Sequence, residues 1–159
     1  MNNDLIEIID VGLGNVASVH NMLNFLGYNS VKVTKPEYSN NPRVLILPGV
    51  GSWDYAIEKL LLFGWFDFIK KYSENNNNLV IGICLGMQLL CEKSEEGKQK
   101  GLSLISGEFK KFVPNKKLKV PHMGWNEVHF NNKFKFKMDS PKFYHVHSYY
   151  YFHSFSYTH

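Results

Sequence analysis

Gly82-Ile83-Cys84-Leu85-Gly86-Met87-Gln88-Leu89-Leu90 is the stretch on which the reading of this chain turns. Just before it, Leu79-Val80-Ile81 is a short apolar run of the kind a buried parallel strand requires. From Leu85 to Glu92 there is no proline, a single glycine and good helix formers, so a helix is predicted there. Cys84 then stands at a strand-to-helix corner with a glycine two residues away on each side. This is the cysteine counterpart of the Gly-x-Ser-x-Gly elbow, in which small neighbours permit a strained turn that pushes a nucleophile outward. The N–H groups and positive dipole end of the following helix favour thiolate, the reactive form. An arbitrary cysteine is more often a small core residue. The paired glycines instead mark Cys84 as a nucleophile, while Cys91, about two turns along the same expected helix, reads as core.

The rest of the chain limits what that nucleophile can belong to. A length of 159 residues predicts one domain with a real core. No apolar run approaches the roughly 20 residues of a membrane span, and the Met-Asn-Asn-Asp start lacks the basic and apolar blocks of a signal peptide. Two cysteines without framework spacing fit a reducing compartment, so a cytoplasmic protein is expected. The net charge of +4 is modest, with lysines interspersed among acids and aromatics. Lys133-Phe134-Lys135-Phe136-Lys137 reads as an amphipathic edge strand with a solvated lysine face, not as a nucleic-acid stripe. No nucleic acid, membrane, cofactor or metal is expected as a partner; His145 and His147 share a strand face, but two imidazoles alone do not make a zinc site.

Upstream, Leu5 to Asp10 predicts a buried first strand ending in the turn Val11-Gly12-Leu13-Gly14-Asn15. Val16, Val19, Leu23 and Leu26 recur at helical spacing until Gly27 stops the helix. Val31 and Val33 alternate as a second strand, and Arg43 to Leu47 is a third, closed by Pro48-Gly49-Val50-Gly51. A helical region from Trp53 to Tyr72 with a break at Gly64 follows, then the polar loop Asn75 to Asn78. Strand–helix–strand alternation predicts a three-layer α/β fold, a parallel or mixed sheet with helices on both faces. After Ser106 the pattern changes to short strands at Glu108 to Val113, Asn126 to Phe130 and Phe143 to His147.

Reactive groups in open parallel sheets gather at the carboxyl ends of the strands. Three segments fall there: the turn after Asp10, Pro48-Gly49-Val50-Gly51, and Cys84. Two glycines around Val50 free the backbone to present N–H groups, so the Val50 and Leu85 N–H groups form a candidate two-donor oxyanion hole. The same tetrapeptide alone also reads as a plain tight turn. Gly12-Leu13-Gly14 lacks the third glycine and downstream acid of a phosphate loop.

Asp10-Val11-Gly12-Leu13-Gly14-Asn15, Leu47-Pro48-Gly49-Val50-Gly51, the Cys84 segment, Pro121-His122-Met123-Gly124-Trp125-Asn126 and Val146-His147-Ser148-Tyr149-Tyr150 occur in that order. Together they resemble the class I (triad-type, flavodoxin-like) glutamine amidotransferases, and among them the glutaminase subunits of imidazole glycerol phosphate synthases, from about Leu5 to Tyr150. The resemblance implies that Cys84 attacks the side-chain amide of glutamine to give a thioester and ammonia. It implies that Val50 and Leu85 hold the oxyanion and that Gly51, Gln88, Ser148 and Tyr149 grip glutamine. Asn15, Met123 and Trp125 would dock onto a (β/α)-barrel synthase subunit as a heterodimer. That partner would use the ammonia to form imidazole glycerol phosphate and an aminoimidazole carboxamide ribotide in histidine biosynthesis. Taken alone, Trp125 also reads as a core aromatic.

The family takes its base, a His with a Glu, from a Phe-His-Pro-Glu-type segment after the His-Ser-Tyr motif. No such segment occurs up to His159, so residues 1–159 are expected to form a single amidotransferase domain incomplete at its C-terminal end, with activity below that of a complete subunit. His147 belongs to the His-Ser-Tyr motif and is not assigned as base, and neither His153 nor His159 is promoted to that role. Three other readings stay open: a paralogue feeding a sugar-modifying synthase of surface-polysaccharide assembly, a catalytically dead binding subunit, and a stand-alone thiol hydrolase.

Overall fold

The computed structural model describes residues 5–39, 42–115, 119–129 and 141–153. The strongly apolar run β1 (Ile6–Ile9) is buried along its whole length. It is flanked by β2 (Ser30–Val33) and β3 (Val44–Gly49), and β3 pairs in turn with β4 (Leu79–Cys84). All three pairings are parallel, in the order β2-β1-β3-β4. Parallel neighbours demand crossovers, and helices supply them. Helix α1 (Val16–Phe25) starts at Asn15, whose side-chain oxygen accepts the Ser18 N–H at 3.1 Å, the usual remedy for an orphan donor of a first turn. Helices α2 (Trp53–Leu62) and α3 (Trp65–Ser73) are separated at Gly64, which takes the left-handed conformation (φ 78°) expected of the break.

Side chains alternate across the sheet, so each face has its own core. Ile9, Leu45 and Leu47 pack with Trp53, Ile57, Leu60, Trp65 and Ile69 of α2 and α3. Ile6, Ile8 and Ile46 pack with Val16, Val19 and Leu23 of α1 on the other face. The two large tryptophans are fully buried, and each indole N–H is satisfied: Trp53 donates to the Gln99 carbonyl (2.8 Å) and Trp65 to the Thr34 carbonyl (2.9 Å). This is the three-layer arrangement expected, with helices on both faces.

A second, three-stranded sheet runs β5 (Cys91–Ser94), β6 (Ile105–Lys111), β9 (Tyr149–Phe152). A two-stranded antiparallel ribbon joins β7 (His122–Glu127) to β8 (Lys142–His147), the bond before Pro121 being cis. Several expectations are corrected here. The helix after Cys84, α4, ends at Leu89, three residues before Glu92, and Cys91 opens a strand instead of lying on that helix. Tertiary pairing overrides local propensity: Cys91 lies opposite Ile105, and the Leu90 carbonyl accepts from the N–H groups of Leu104 and Ile105. The strand expected from Asn126 instead starts at His122, and the one expected from Glu108 starts at Ile105, because their partners β8 and β5 begin pairing there. Phe130 and Lys133 to Lys137 lie outside the described residues, as does His159.

β4 is the largest departure. It was expected to be buried, yet Leu79, Ile81 and Ile83 are 52%, 38% and 40% exposed. Only β3 pairs with it among the described residues, so β4 is an edge of the parallel sheet.

Three glycines hold this region together by having no side chain. A Cβ on Gly86 would overlap the Leu47 carbonyl, and one on Gly49 would sit 2.6 Å from the Gly86 nitrogen. A Cβ on Gly82 would collide with Met87. Gly86→Ala should therefore destabilise the fold by about 2 kcal/mol or more, since inserted methyls in filled space cost roughly 1–3 kcal/mol. A urea midpoint unchanged from the parent chain would contradict this packing.

Candidate active site

Cys84 is the pivot between β4 and α4, with φ 55° and ψ −116°, a conformation non-glycine residues rarely adopt. Its neighbours' missing side chains allow α4 to turn back directly onto β3, so the thiol is left exposed at the carboxyl end of the sheet. The elbow expected from the sequence is present. Gly49 lies opposite Cys84 in the β3–β4 register, which carries the Val50-Gly51 turn alongside the sulfur. The first turn of the chain is close too: a Cβ on Gly14 would be 3.4 Å from the Gly49 nitrogen.

One cleft of about 250 Å³ gathers Val50, Gly51, Cys84, Leu85, Gln88, Ser148 and Tyr149, together with Glu96, Pro121, Val146 and His147. Seven residues singled out from sequence, scattered over a hundred positions, thus share one concavity. Gln88 lines this cleft, and its side-chain oxygen is buried without a hydrogen-bond partner. Ser148 is the bend between β8 and β9; its carbonyl accepts the Phe112 N–H (2.9 Å), fixing the bend on the end of β6. A second, more apolar cleft of about 410 Å³ opens on Cys84 from another side, lined by Met87, Phe109, Tyr144, His145 and Tyr150 among others.

Glu96 is the residue that sequence reasoning missed. It sits in a run of charged residues, Glu92 to Glu96, that looks like an ordinary solvated loop. The structure fastens this loop to the start of α2. The Asp54 carboxylate accepts the Lys98 and Gln99 N–H groups, both at 2.9 Å, and the backbone N–H of Trp53 donates to Glu96. Burial raises the Glu96 carboxyl above the usual range, with a contribution from the charge of Asp54, while the Trp53 N–H opposes it. The result is a half-buried carboxylate in the Cys84 cleft, close enough to Tyr149 that its charge helps raise that phenol, whose main perturbation is burial.

The histidines fall into place as well. His147 lines both clefts, and its Nδ1 bonds the Tyr149 carbonyl at 2.9 Å, which requires the proton on Nδ1. His153 lies in a different depression, with Glu92, Lys93 and Glu108. His145 and His147 are ring neighbours (5.6 Å), but no group of three His, Cys, Asp or Glu able to hold a metal occurs among the described residues.

The expected partner-face residues lie on two elements, β7 and the start of α1. Met123 and Trp125 project from the same face of β7 and are 60% and 70% exposed, with Trp125 edge-on to Tyr144 of β8. Asn15 is exposed at the start of α1, where it serves as the cap. Trp125 is no core aromatic.

A thiol elbow at the carboxyl edge of a parallel sheet, facing a Gly-Val-Gly turn and a polar cleft, defines a class of enzyme, and residues 7–156 match the model of that class: the chain belongs to the class-I glutamine amidotransferases. Within it, similar proteins include subunits named HisH of imidazole glycerol phosphate synthase. HisH 2 of Methanococcus maripaludis is 43% identical over 149 residues, which cover 92% of this chain and 74% of that protein. HisH of Synechococcus sp. is 45% identical over 118 residues, 74% of this chain and 55% of that protein. The fold is also that of a solved glutamine amidotransferase (TM-score 0.64, 19% identity, 77% of this chain and 62% of that one). The chain therefore spans about half to three quarters of the length of the curated relatives it matches.

The two thiols should differ sharply in reactivity. Burial pushes the Cys91 thiol up to about 11, with the Glu92 charge adding to it. Thiolate is the alkylated form, so Cys91 should stay unmodified below about pH 10 while the exposed Cys84 reacts. Mass mapping after iodoacetamide treatment checks this; labelling of Cys91 in preference to Cys84 would overturn the assignment.

Proposed function

We propose that this chain hydrolyses glutamine through Cys84 and hands the ammonia to a synthase subunit. The observation that carries the reading is the single cleft uniting Cys84 with Val50, Gly51, Leu85, Gln88, Ser148 and Tyr149. Cys84 attacks the amide carbon, and the oxygen that gains negative charge is received by the backbone N–H groups of Val50 and Leu85. Ammonia leaves with a proton, a glutamyl thioester remains, and water releases glutamate and restores the thiol. The resemblance places the base, a His backed by a Glu, in a segment beyond the His-Ser-Tyr motif.

Substrate recognition follows from what lines the cleft. A glutamine substrate carries an α-ammonium and an α-carboxylate besides its amide. Glu96 is the acid of the cleft and pairs with the ammonium; Gln88 contacts the amide end; Gly51, Ser148 and Tyr149 grip the backbone. The names of the relatives support the histidine-pathway synthase as acceptor. In this reading the partner is a (β/α)-barrel subunit bound as a heterodimer in the cytoplasm, and it docks on the Met123–Trp125 face together with Asn15.

Four measurements test the proposal. With the partner and its nucleotide substrate present, Cys84→Ala should abolish ammonia release. Glu96→Gln should raise KM for glutamine by about tenfold or more with a smaller change in kcat, as expected for an ion-paired binding group. KM of the parent should also fall as pH rises through the elevated Glu96 titration, because only the ionised carboxylate attracts ammonium; a pH-independent KM would count against that role. Trp125→Ala should weaken association by about 2 kcal/mol if it anchors the interface. An unchanged Kd in a titration against the barrel subunit would remove Trp125 from that role.

A further inference from the structure

Glu96 has to be held in the Cys84 cleft by something other than its own loop. Between β5 and β6 the chain runs Glu95-Glu96-Gly97-Lys98-Gln99-Lys100-Gly101, a segment with no apolar side chain to bury. Water is the preferred surrounding of such a segment, and half-burying a carboxylate costs free energy unless polar partners replace the water. Those partners come from the first turn of α2.

The exchange runs in both directions. Helix α2 begins at Ser52, whose side chain makes no capping bond, so its first N–H groups need other acceptors. The Trp53 backbone N–H finds Glu96. In return the Asp54 carboxylate accepts from the loop: Oδ1 takes the Lys98 and Gln99 N–H groups, both at 2.9 Å, and Oδ2 is 3.1 Å from the Lys98 nitrogen. The Gln99 side chain donates to the Asp54 carbonyl (3.1 Å) and to Glu58 Oε1 (3.3 Å), and the Gln99 carbonyl receives the Trp53 indole N–H. Gly97 fits the space that is left: a Cβ there would overlap Asp54 Oδ1 and the Trp53 ring. Asp54 does not itself line the cleft, so whatever it does for a ligand passes through Glu96.

We infer that Asp54 is a positioning residue for glutamine: it fixes the Glu96 carboxylate at the α-ammonium and so gives preference to amides that carry one. The inference rests on the pairing of Glu96 with that ammonium proposed above. A binding group is only as well placed as the bonds that lock it, and Asp54 supplies three of those that lock this loop.

The charge of Asp54 leaves a second signature. The ionisable groups about Glu96 are Asp54 on α2, Tyr149 on β9, and His147 and Cys84 across the cleft. Glu95 and Lys98 adjoin it along the loop, with Glu95 turned to the Lys111 N–H (2.7 Å). Burial is the chief reason Glu96 holds its proton more tightly than usual; the Trp53 N–H opposes this and the Asp54 charge adds to it. Neutralising Asp54 while keeping its acceptor therefore lowers the Glu96 titration, and the other groups are common to parent and variant.

The experiment measures L-glutamine binding to the 159-residue chain by calorimetry and the Glu96 carboxyl titration by carbon-13 NMR. Asp54→Ala should weaken glutamine binding about tenfold, the scale of losing hydrogen bonds to a charged group. Glutaramate, which is glutamine without its α-ammonium, should bind the parent and Asp54→Ala alike. Asp54→Asn, which keeps an acceptor at Oδ1, should recover most of the affinity and move the Glu96 midpoint to lower pH. Gly97→Ala leaves every charge in place but lifts the loop off α2, and should weaken glutamine as Asp54→Ala does. Circular dichroism checks the fold of each variant; should Asp54→Ala not fold, the other two decide. Glutamine binding by Asp54→Ala equal to the parent's, with Glu96→Gln weakened, overturns the role of Asp54 alone. An equal loss of glutaramate, or a Glu96 midpoint unmoved in Asp54→Asn, makes Asp54 a merely structural residue and overturns it too. No loss in Glu96→Gln, or a parent that binds no glutamine, overturns the inference together with the reading beneath it.

Discussion

Everything about the site depends on how closely the turn after β4 can be laid on β3. Gly49, Gly82 and Gly86 occupy the three positions where a single Cβ would meet backbone. Their absence of side chains lets α4 fold back at once, and that reversal forces Cys84 to a positive φ. The strain is local and the packing around it is dense, the combination that keeps a disfavoured backbone in place. The same contact brings the Val50-Gly51 turn level with the sulfur through the Gly49–Cys84 register. Nucleophile and candidate oxyanion donors are thus positioned by one steric condition.

Around that contact the two smaller sheets act as walls. The Ser148 bend passes the chain from the ribbon containing Met123 and Trp125 to the sheet containing β6. Val146 and His147, just before the bend, line the Cys84 cleft, whereas Met123 and Trp125 pair directly with Val146 and Tyr144. A short ribbon therefore separates the exposed aromatic face from the reactive thiol. On the third side the loop holding Glu96 is fastened to the start of α2 through Asp54 and Trp53. Acid and nucleophile reach one space from different parts of the fold, and Gln88 lies one turn along α4 from Cys84.

Much of this was legible in the sequence, for reasons that are local. The order of β1 to β4 with α1 to α3 follows from apolar runs punctuated by Gly27, Gly64 and the Pro48-Gly51 turn, each of which marks a chain reversal the backbone makes cheaply. The elbow was legible because glycine spacing reports steric demand directly. The length of α4 was not, since nothing near Cys91 announces its pairing with Ile105. Glu96 was hidden because a carboxylate among lysines and glutamates carries no mark of the loop closure that half-buries it. The exposure of β4 was invisible for a different reason: Leu79-Val80-Ile81 records that the strand is built to be covered, not what covers it.

The two cysteines bear differently on oxidation. A thiol oxidised to sulfenic acid is commonly rescued by condensing with a nearby second thiol, and without one it can proceed to sulfinic acid, which is essentially irreversible. Cys91 is the other thiol of this chain, and it is buried in β5 with its proton held tightly. It cannot act as resolving partner unless that strand opens. The exposed elbow that makes Cys84 reactive therefore leaves its repair to reductants from outside the molecule, so peroxide exposure should cost this chain its nucleophile in a way that small external thiols reverse only at the first oxidation step.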